Sequence, residues 1–248
     1  MSNPVKAKAE VVEITPFGAG TYSVVLRPLT RLPRFKAGQF LHLTLDEFDP
    51  GSGYWPESRV FSIASAPFSA EIEILYSVKG RYTKRMQEEL GPGSVVWLKL
   101  PYGYFTVDSA LSPSQDAVLV AGGTGISPFL SYLQNLDKES AAGRRVRLYY
   151  GVRENGMVLH RELIGRCAAD GKIDVCLMVE SGEVLYGMSE AVRQVRGRLN
   201  IDAIREDCHG LNNPAFLISG PPQMIAAFKQ KLLSAGTTSD NIKIDEWE

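Results

Sequence analysis

The sequence predicts a two-part chain: an antiparallel six-stranded β-barrel within residues 1–110, then an α/β unit over residues 111–248 built on a five-stranded parallel sheet. Three observations predict it. Residues 8–108 carry short strand-like runs between turn signals, the pattern of a small barrel or sandwich. After the polar, Pro113-containing stretch 109–116, apolar strands alternate with amphipathic segments long enough for crossover helices. Finally, the apolar run 117–121 ends abruptly in Gly122-Gly123-Thr124-Gly125-Ile126-Ser127-Pro128, as a buried parallel strand does where it meets a phosphate-binding turn and a helix.

In chain order, the barrel strands fall at 10–14, 22–27, 39–45, 59–64, 71–77 and 95–100. In the third, Leu41, Leu43 and Leu45 alternate with Phe40, His42 and Thr44, which makes one face apolar. Residues 46–58 contain Pro50, Gly51, Gly53 and Pro56, lack periodicity and read as an exposed loop. The parallel strands fall at 118–121, 146–151, 173–179, 216–219 and 242–245. Without a Cβ, Gly122, Gly123 and Gly125 are expected to take positive φ and let backbone approach a ligand, and Pro128 suits a first helical position. The helix that follows shows Phe129, Leu130, Leu133 and Leu136 on one side, a stripe to bury against the sheet.

Composition sets bounds on partners. With 44% apolar and 22% charged residues the chain is of the soluble globular class, and a formal net charge of -1 provides no global attraction to nucleic acid or anionic lipid. No nucleic-acid partner is expected. The first ten residues lack the apolar core of a signal peptide, and no run of about 18 apolar residues offers a membrane span, so a cytoplasmic location is expected. Cys167, Cys176 and Cys208 are widely spaced with no C-x-x-C pair, so an iron–sulfur centre is expected on another protein. His42, His160 and His209 lack metal-ligand spacing, and no metal site is expected.

Four segments carry chemistry. The turn at Gly122–Gly125 has a counterpart in Ser219-Gly220-Pro221-Pro222-Gln223-Met224, again where a buried strand meets a helix, and ligands of open α/β sheets bind at the carboxyl ends of such strands. In Arg59-Val60-Phe61-Ser62, a guanidinium suits phosphate, a flat ring can stack on a planar heterocycle, and a hydroxyl can donate to a ring nitrogen. With a strand period of two, Arg59 and Phe61 share one face while Val60 and Ser62 share the other. Gly80-Arg81-Tyr82-Thr83 precedes a helical run with Met86 and Leu90; it reads either as a phosphate site or as a simple helix cap.

This set resembles the ferredoxin-NADP reductase family, in which a flavin-binding β-barrel precedes a nicotinamide-nucleotide domain. Arg59–Ser62 resembles the family's R-x-Y-S motif, Gly80–Thr83 its G-x-x-S/T motif, Gly122–Pro128 its G-G-T-G-I-x-P turn, and Ser219–Met224 its C-G-P-x-x-M motif. The resemblance implies FAD bound by Arg59, Val60, Phe61, Ser62, Ser77, Val78, Gly80, Tyr82 and Thr83. Arg59 and Thr83 would contact its phosphates, Phe61 would pack on the isoalloxazine, and Ser62 would hydrogen-bond near N5. It implies a nicotinamide nucleotide held by Gly123, Thr124, Gly125, Gly220, Pro221 and Met224, with Ser62 and Ser219 as the catalytic pair.

The chain departs from the family pattern at three places. Phe61 stands where the family has tyrosine, and Ser219 where it often has cysteine. Asp245-Glu246-Trp247 stands where many members have an acidic residue and then an aromatic over the flavin; Trp247 either covers the ring or packs structurally. After the strand 173–179, Glu180 suits a free ribose hydroxyl and points to NADH, whereas Arg153 suits a 2′-phosphate or the pyrophosphate. The implied function is hydride transfer from NAD(P)H to FAD and electron delivery to a separate acceptor, such as a ferredoxin or oxygenase component. Two alternatives stay open: a reductase of diffusing flavin, and an electron-transfer or regulatory subunit of a larger redox complex.

Overall fold

A computed structural model describes residues 3–138, 143–182 and 187–245. Its first half is one antiparallel sheet of β1 (Val5–Pro16), β2 (Thr21–Pro28), β3 (Phe40–Thr44), β4 (Arg59–Ser62), β5 (Ile72–Ser77) and β6 (Val95–Tyr102), in the order β4-β3-β6-β1-β2-β5. All six expected strands are present. The strand β1 begins earlier than its apolar pattern suggested, because Lys6 and Lys8 face outward and the inward Ala7 and Ala9 bury too little to stand out. The edges β4 and β5 approach one another just past β4, where the Ala64 amide donates to the Glu73 carbonyl (2.8 Å) and the Glu73 amide donates to Ser65 Oγ (3.0 Å). Those two bonds nearly close the barrel. Helix α1 (Arg81–Glu89) covers its interior, burying Tyr82 and Met86 in the core that contains Leu41, Leu43 and Leu98.

After the short helix α2 (Val107–Ala110) the chain enters a parallel sheet in the order β10-β9-β8-β7-β11-β12. Its strands are β7 (Ala117–Gly122), β8 (Val146–Glu154), β9 (Asp174–Ser181), β10 (Val192–Arg196), β11 (Ala215–Ser219) and β12 (Ile242–Ile244). Helices α3 (Ser127–Lys138) and α4 (Arg161–Ala169) cover one face; α5 (Ile201–Asp207) and α6 (Pro222–Ser234) cover the other. The sheet therefore has six strands, not the expected five. The strand the sequence concealed is β10, whose valines are spaced three apart among charged residues and whose only sheet partner is β9. At an edge, burial of Val192 is enough; central β7, enclosed on both faces, is buried at every residue.

The same strip that closes the barrel also joins the two halves. Ser131 Oγ donates to the Ser65 carbonyl (2.7 Å), Gln134 Nε2 donates to the Ala64 carbonyl (3.2 Å), and the Ala66 amide donates back to Gln134 Oε1 (2.9 Å). At the start of α4, His160 Nε2 lies 2.7 Å from Glu73 Oε1, which also accepts from Ser23 Oγ (2.5 Å). Burial pushes the Glu73 carboxyl up, but the bonds from His160 and Ser23 outweigh it and hold the group below the usual carboxylate range. The seam is thus fixed by directional bonds as well as by apolar packing. Among the described residues no helix is long and apolar enough to cross a membrane.

Candidate functional site

At the carboxyl end of β7 the chain turns through a 3-10 segment, Gly123–Ile126, into α3, and Ser127 Oγ donates to the Thr124 carbonyl (2.7 Å). Of the three glycines expected to need positive φ, Gly123 does so, at +56°, and a Cβ there would meet nothing within 4 Å. Gly122 and Gly125 serve a different purpose. A Cβ on Gly125 would lie 2.4 Å from the Ser219 carbonyl oxygen, and one on Gly122 would lie 2.9 Å from Met224 Sδ. The two turns therefore interlock backbone to backbone, and only the Gly123 side opens to a ligand.

That open side borders a single cleft of about 1410 Å³ between the open edge of the barrel and the carboxyl ends of the parallel strands. Pockets for one small ligand span roughly 300–1,000 Å³, so this cleft has room for two. Val60, Phe61, Ser62, Ser77, Val78 and Thr83 line the barrel wall. Gly123, Thr124, Gly125, Arg153, Glu180, Ser219, Gly220, Pro221 and Met224 line the other. Four of the expected residues are not among those lining it. Trp247 lies outside the described residues. Tyr82 is buried, its hydroxyl donating to the Leu43 carbonyl (2.8 Å) and accepting from the Leu45 amide (3.2 Å), which leaves only its backbone amide for a ligand. Gly80 is the N-cap of α1. Arg59 is exposed, with Nη2 donating to Glu57 Oε1 (3.0 Å) and its guanidinium 4.9 Å above the Tyr82 ring.

Thr83 shows how a sequence motif divides its work. Its hydroxyl accepts from the Lys79 and Gly80 amides (2.9 and 3.2 Å) and donates to the Gly80 carbonyl (3.1 Å). It therefore caps its own helix, and the first-turn amides of α1, which no intrahelical carbonyl reaches, are the donors this segment has left to offer an anion.

One pairing escaped the sequence reading. Ser219 Oγ donates to Asp245 Oδ2 (2.9 Å), and the Asp245 amide donates to the Ile218 carbonyl (2.9 Å). Burial pushes the Asp245 carboxyl up to about 7, against the opposing bond from Ser219. The parallel register supplies the missing signal: Phe216 pairs with Ile242, Leu217 with Lys243 and Ile218 with Ile244, so the next step sets Ser219 beside Asp245. A second omission is Arg198, which donates from Nε to Glu180 Oε2 (2.9 Å) at the cleft and is delivered there by the unrecognised strand β10.

The residues present suit a flavin dinucleotide on one wall and a nicotinamide dinucleotide on the other: helix amides for phosphates, the Phe61 ring for stacking, and Gly123 clear of side chains. Residues 119–230 match the oxidoreductase NAD-binding domain family. The chain is 27% identical over 249 residues to the reductase component of propane 2-monooxygenase from Mycolicibacterium goodii, covering 97% of this chain and 67% of that one. Its fold matches a ferredoxin NADP+ reductase from Neisseria gonorrhoeae, solved with bound FAD and NADP, with a TM-score of 0.71 at 18% identity, covering 99% of both chains.

The chain has the two-domain fold of that reductase, and its second half matches the oxidoreductase NAD-binding domain.

An Amycolatopsis cytochrome P450 reductase shares this fold, with a TM-score of 0.76 at 23% identity over 98% of this chain and 70% of that one. The chain spans about two thirds of the length of the propane monooxygenase reductase. Within this fold, the pair Ser219–Asp245 and the ion pair Glu180–Arg198 are the features that the local motifs did not announce.

Proposed function

We propose that this chain is an FAD-containing NADH oxidoreductase that delivers electrons to a separate acceptor protein, with residues 1–110 as flavin domain and 111–248 as nucleotide domain. The observation that carries the reading is that Ser62 and the Ser219–Asp245 pair line one cleft from its two opposite walls. When bound, FAD supplies an isoalloxazine that accepts hydride and passes electrons on singly. The residues supply orientation. Ser62, buried at the end of β4, offers a hydroxyl to the ring nitrogen that receives hydride, and Phe61 supports the ring from the barrel side. Ser219, fixed by Asp245, forms the facing wall for the nicotinamide, and the Asp245 carboxyl, titrating near neutrality, holds an exchangeable proton there. Gly123, Thr124 and Gly220 carry the dinucleotide phosphates, while Glu180 accepts from the adenosine ribose and so favours NADH over NADPH.

The test is an absorption spectrum of the purified protein, with the cofactor released and identified, before and after anaerobic NADH. A flavin band that bleaches supports the proposal; colourless protein that cannot be loaded with FAD overturns it. A higher kcat/KM for NADPH would reverse the role given to Glu180.

A second reading rests on a specific observation. Arg59 is tied to Glu57, and the Thr83 hydroxyl to its own helix, so both expected phosphate anchors already have protein partners. Weak retention of that kind suits a reductase of diffusing flavin. Loss of colour on gel filtration would favour it.

A further inference from the structure

The segment that connects β8 to α4 lines the nucleotide side of the cleft and also reaches across to the barrel. Met157 and Leu159 border the cleft, and Tyr150 ties the segment to β8: its hydroxyl donates to the Met157 carbonyl (3.4 Å) and accepts from the Leu159 amide (3.3 Å). His160, next in the chain, is the N-cap of α4 at φ +51° and ψ +38°, a left-handed conformation uncommon outside glycine. An N-cap side chain ordinarily accepts from the first amides of its own helix, and here it makes no such bond. It crosses the seam instead, with Nε2 placed 2.7 Å from Glu73 Oε1 on β5.

Glu73 stands in a column of side chains that leads back to the same cleft. Alternate residues of a strand share a face, so Glu73, Leu75 and Ser77 project together while Ile72, Ile74 and Tyr76 fill the barrel core. Leu75 packs into the core of the nucleotide half, and Leu75 and Ser77 both line the cleft. On β2, Thr21 and Ser23 sit opposite Ser77 and Leu75, and Ser23 Oγ donates to the same Glu73 oxygen that faces His160 (2.5 Å). Burial raises the Glu73 carboxyl, but the bonds from His160 and Ser23 outweigh it and keep the group an ionised acceptor, so His160 Nε2 is the nitrogen that donates.

We propose that His160 is a positioning residue for hydride transfer, an inference that rests on the reductase reading above. It is not among the residues lining the cleft. It joins the residue after Leu159 on one wall to the strand that carries Leu75 and Ser77 on the other, and so sets the spacing across which nicotinamide and flavin meet. The side chains of His160 and Glu73 are 25% and 13% exposed, cover that makes their bond stronger than one between groups in open solvent. Helix α3 holds the seam separately, through Ser131 and Gln134 on the strip 64–66. Loss of the His160 bond therefore leaves the halves joined and frees the cleft-lining segment and β5 to shift against each other. A misplacement of about 1 Å, made away from the reacting atoms, is enough to slow a positioned reaction by up to about 10²-fold.

The test compares His160→Gly, which suits the positive φ and removes only the side chain, with His160→Gln, whose amide restores a donor facing Glu73. In FAD-loaded protein, anaerobic stopped flow should show flavin reduction by NADH with a limiting rate about tenfold lower in the glycine variant, Kd for NADH within about twofold of wild type and a primary deuterium isotope effect retained. His160→Gln should recover most of the rate. Glu73→Ala should match His160→Gly, and the double variant should be no slower than either single one. In ligand-free protein, amide exchange at 157–160 and 73–77 should speed up in the glycine variant while 64–66 stays protected. If the glycine variant does not fold, Glu73→Ala carries the same comparison. A wild-type limiting rate, a loss of rate due wholly to weaker NADH binding, no recovery in His160→Gln, or additive losses in the double variant would each overturn the positioning role. Wild-type protein that takes up no flavin would instead sink the reductase reading, and the exchange pattern would still decide whether this bond holds the two walls together.

Discussion

The two walls of the cleft are made in different ways. On the parallel-sheet wall the cleft surface is largely backbone: Gly122, Gly125 and Gly220 let two turns lie against each other, and a Cβ on Gly123 would meet nothing within 4 Å. On the barrel wall the surface is side chains, and some are already engaged, with Thr83 on Gly80 and Phe61 against Tyr76 at 6.5 Å. A wall of interlocked backbone tolerates little change. A wall of side chains with protein partners can exchange those partners for a ligand's groups.

Four substitutions probe how differently the two walls respond to change. The largest expected effect belongs to Asp245. Its carboxyl titrates near 7 in the fold against an ordinary value of 3.8, so the native state holds that proton more tightly than the unfolded chain. Stability from this group is full below about pH 4, falls as pH rises toward 7 and then levels off, by roughly 4 kcal/mol in all. In Asp245→Asn, chemical denaturation should lose that slope; an unchanged pH profile would mean that the buried acid is not the source. Next comes Gly125→Ala, whose Cβ would sit 2.4 Å from a backbone oxygen that cannot step aside. A cost on the order of 3 kcal/mol is expected, with loss of NADH binding by calorimetry. Retained binding would show that the turns separate easily.

The seam between the walls is expected to be more forgiving. Gln134→Ala removes two hydrogen bonds to the strip that closes the barrel and should cost about 1–3 kcal/mol, read as a lower Tm. The smallest effect belongs to Gly80→Ala at the N-cap of α1, where φ is -151° and an added Cβ meets nothing. That change should cost about 0.5 kcal/mol and leave flavin binding intact. A large loss there would mean that a ligand, not the helix cap, demands glycine.

Legibility followed the same division. The strand β7 and its turn were readable because burial on both faces makes a solid apolar run and backbone contact demands glycine, and both are local signals. The six barrel strands were readable from alternation and turns. The strand β10 was not, since an edge strand needs little apolar surface, and with it went Arg198 and the ion pair on Glu180. Asp245 was visible as an acid near the end of the sequence but not as the partner of Ser219, which depends on the pairing of β11 with β12 across residues far apart in sequence. The engagement of Thr83 and Tyr82 was hidden for another reason: a motif states which residue is present and not whether its side chain serves the ligand or the fold.

In the proposed function, hydride passes across this cleft, between a nicotinamide on the Ser219 wall and a flavin on the Ser62 wall. Anaerobic stopped-flow reduction by NADH and by its 4-deuterated form, in wild type and in Ser62→Ala, tests it most directly. The wild-type flavin band should bleach with a primary isotope effect, and the variant should bleach roughly 10²-fold more slowly while still binding flavin and NADH. Bleaching at the wild-type rate in Ser62→Ala, or no bleaching of the loaded wild type, would contradict it.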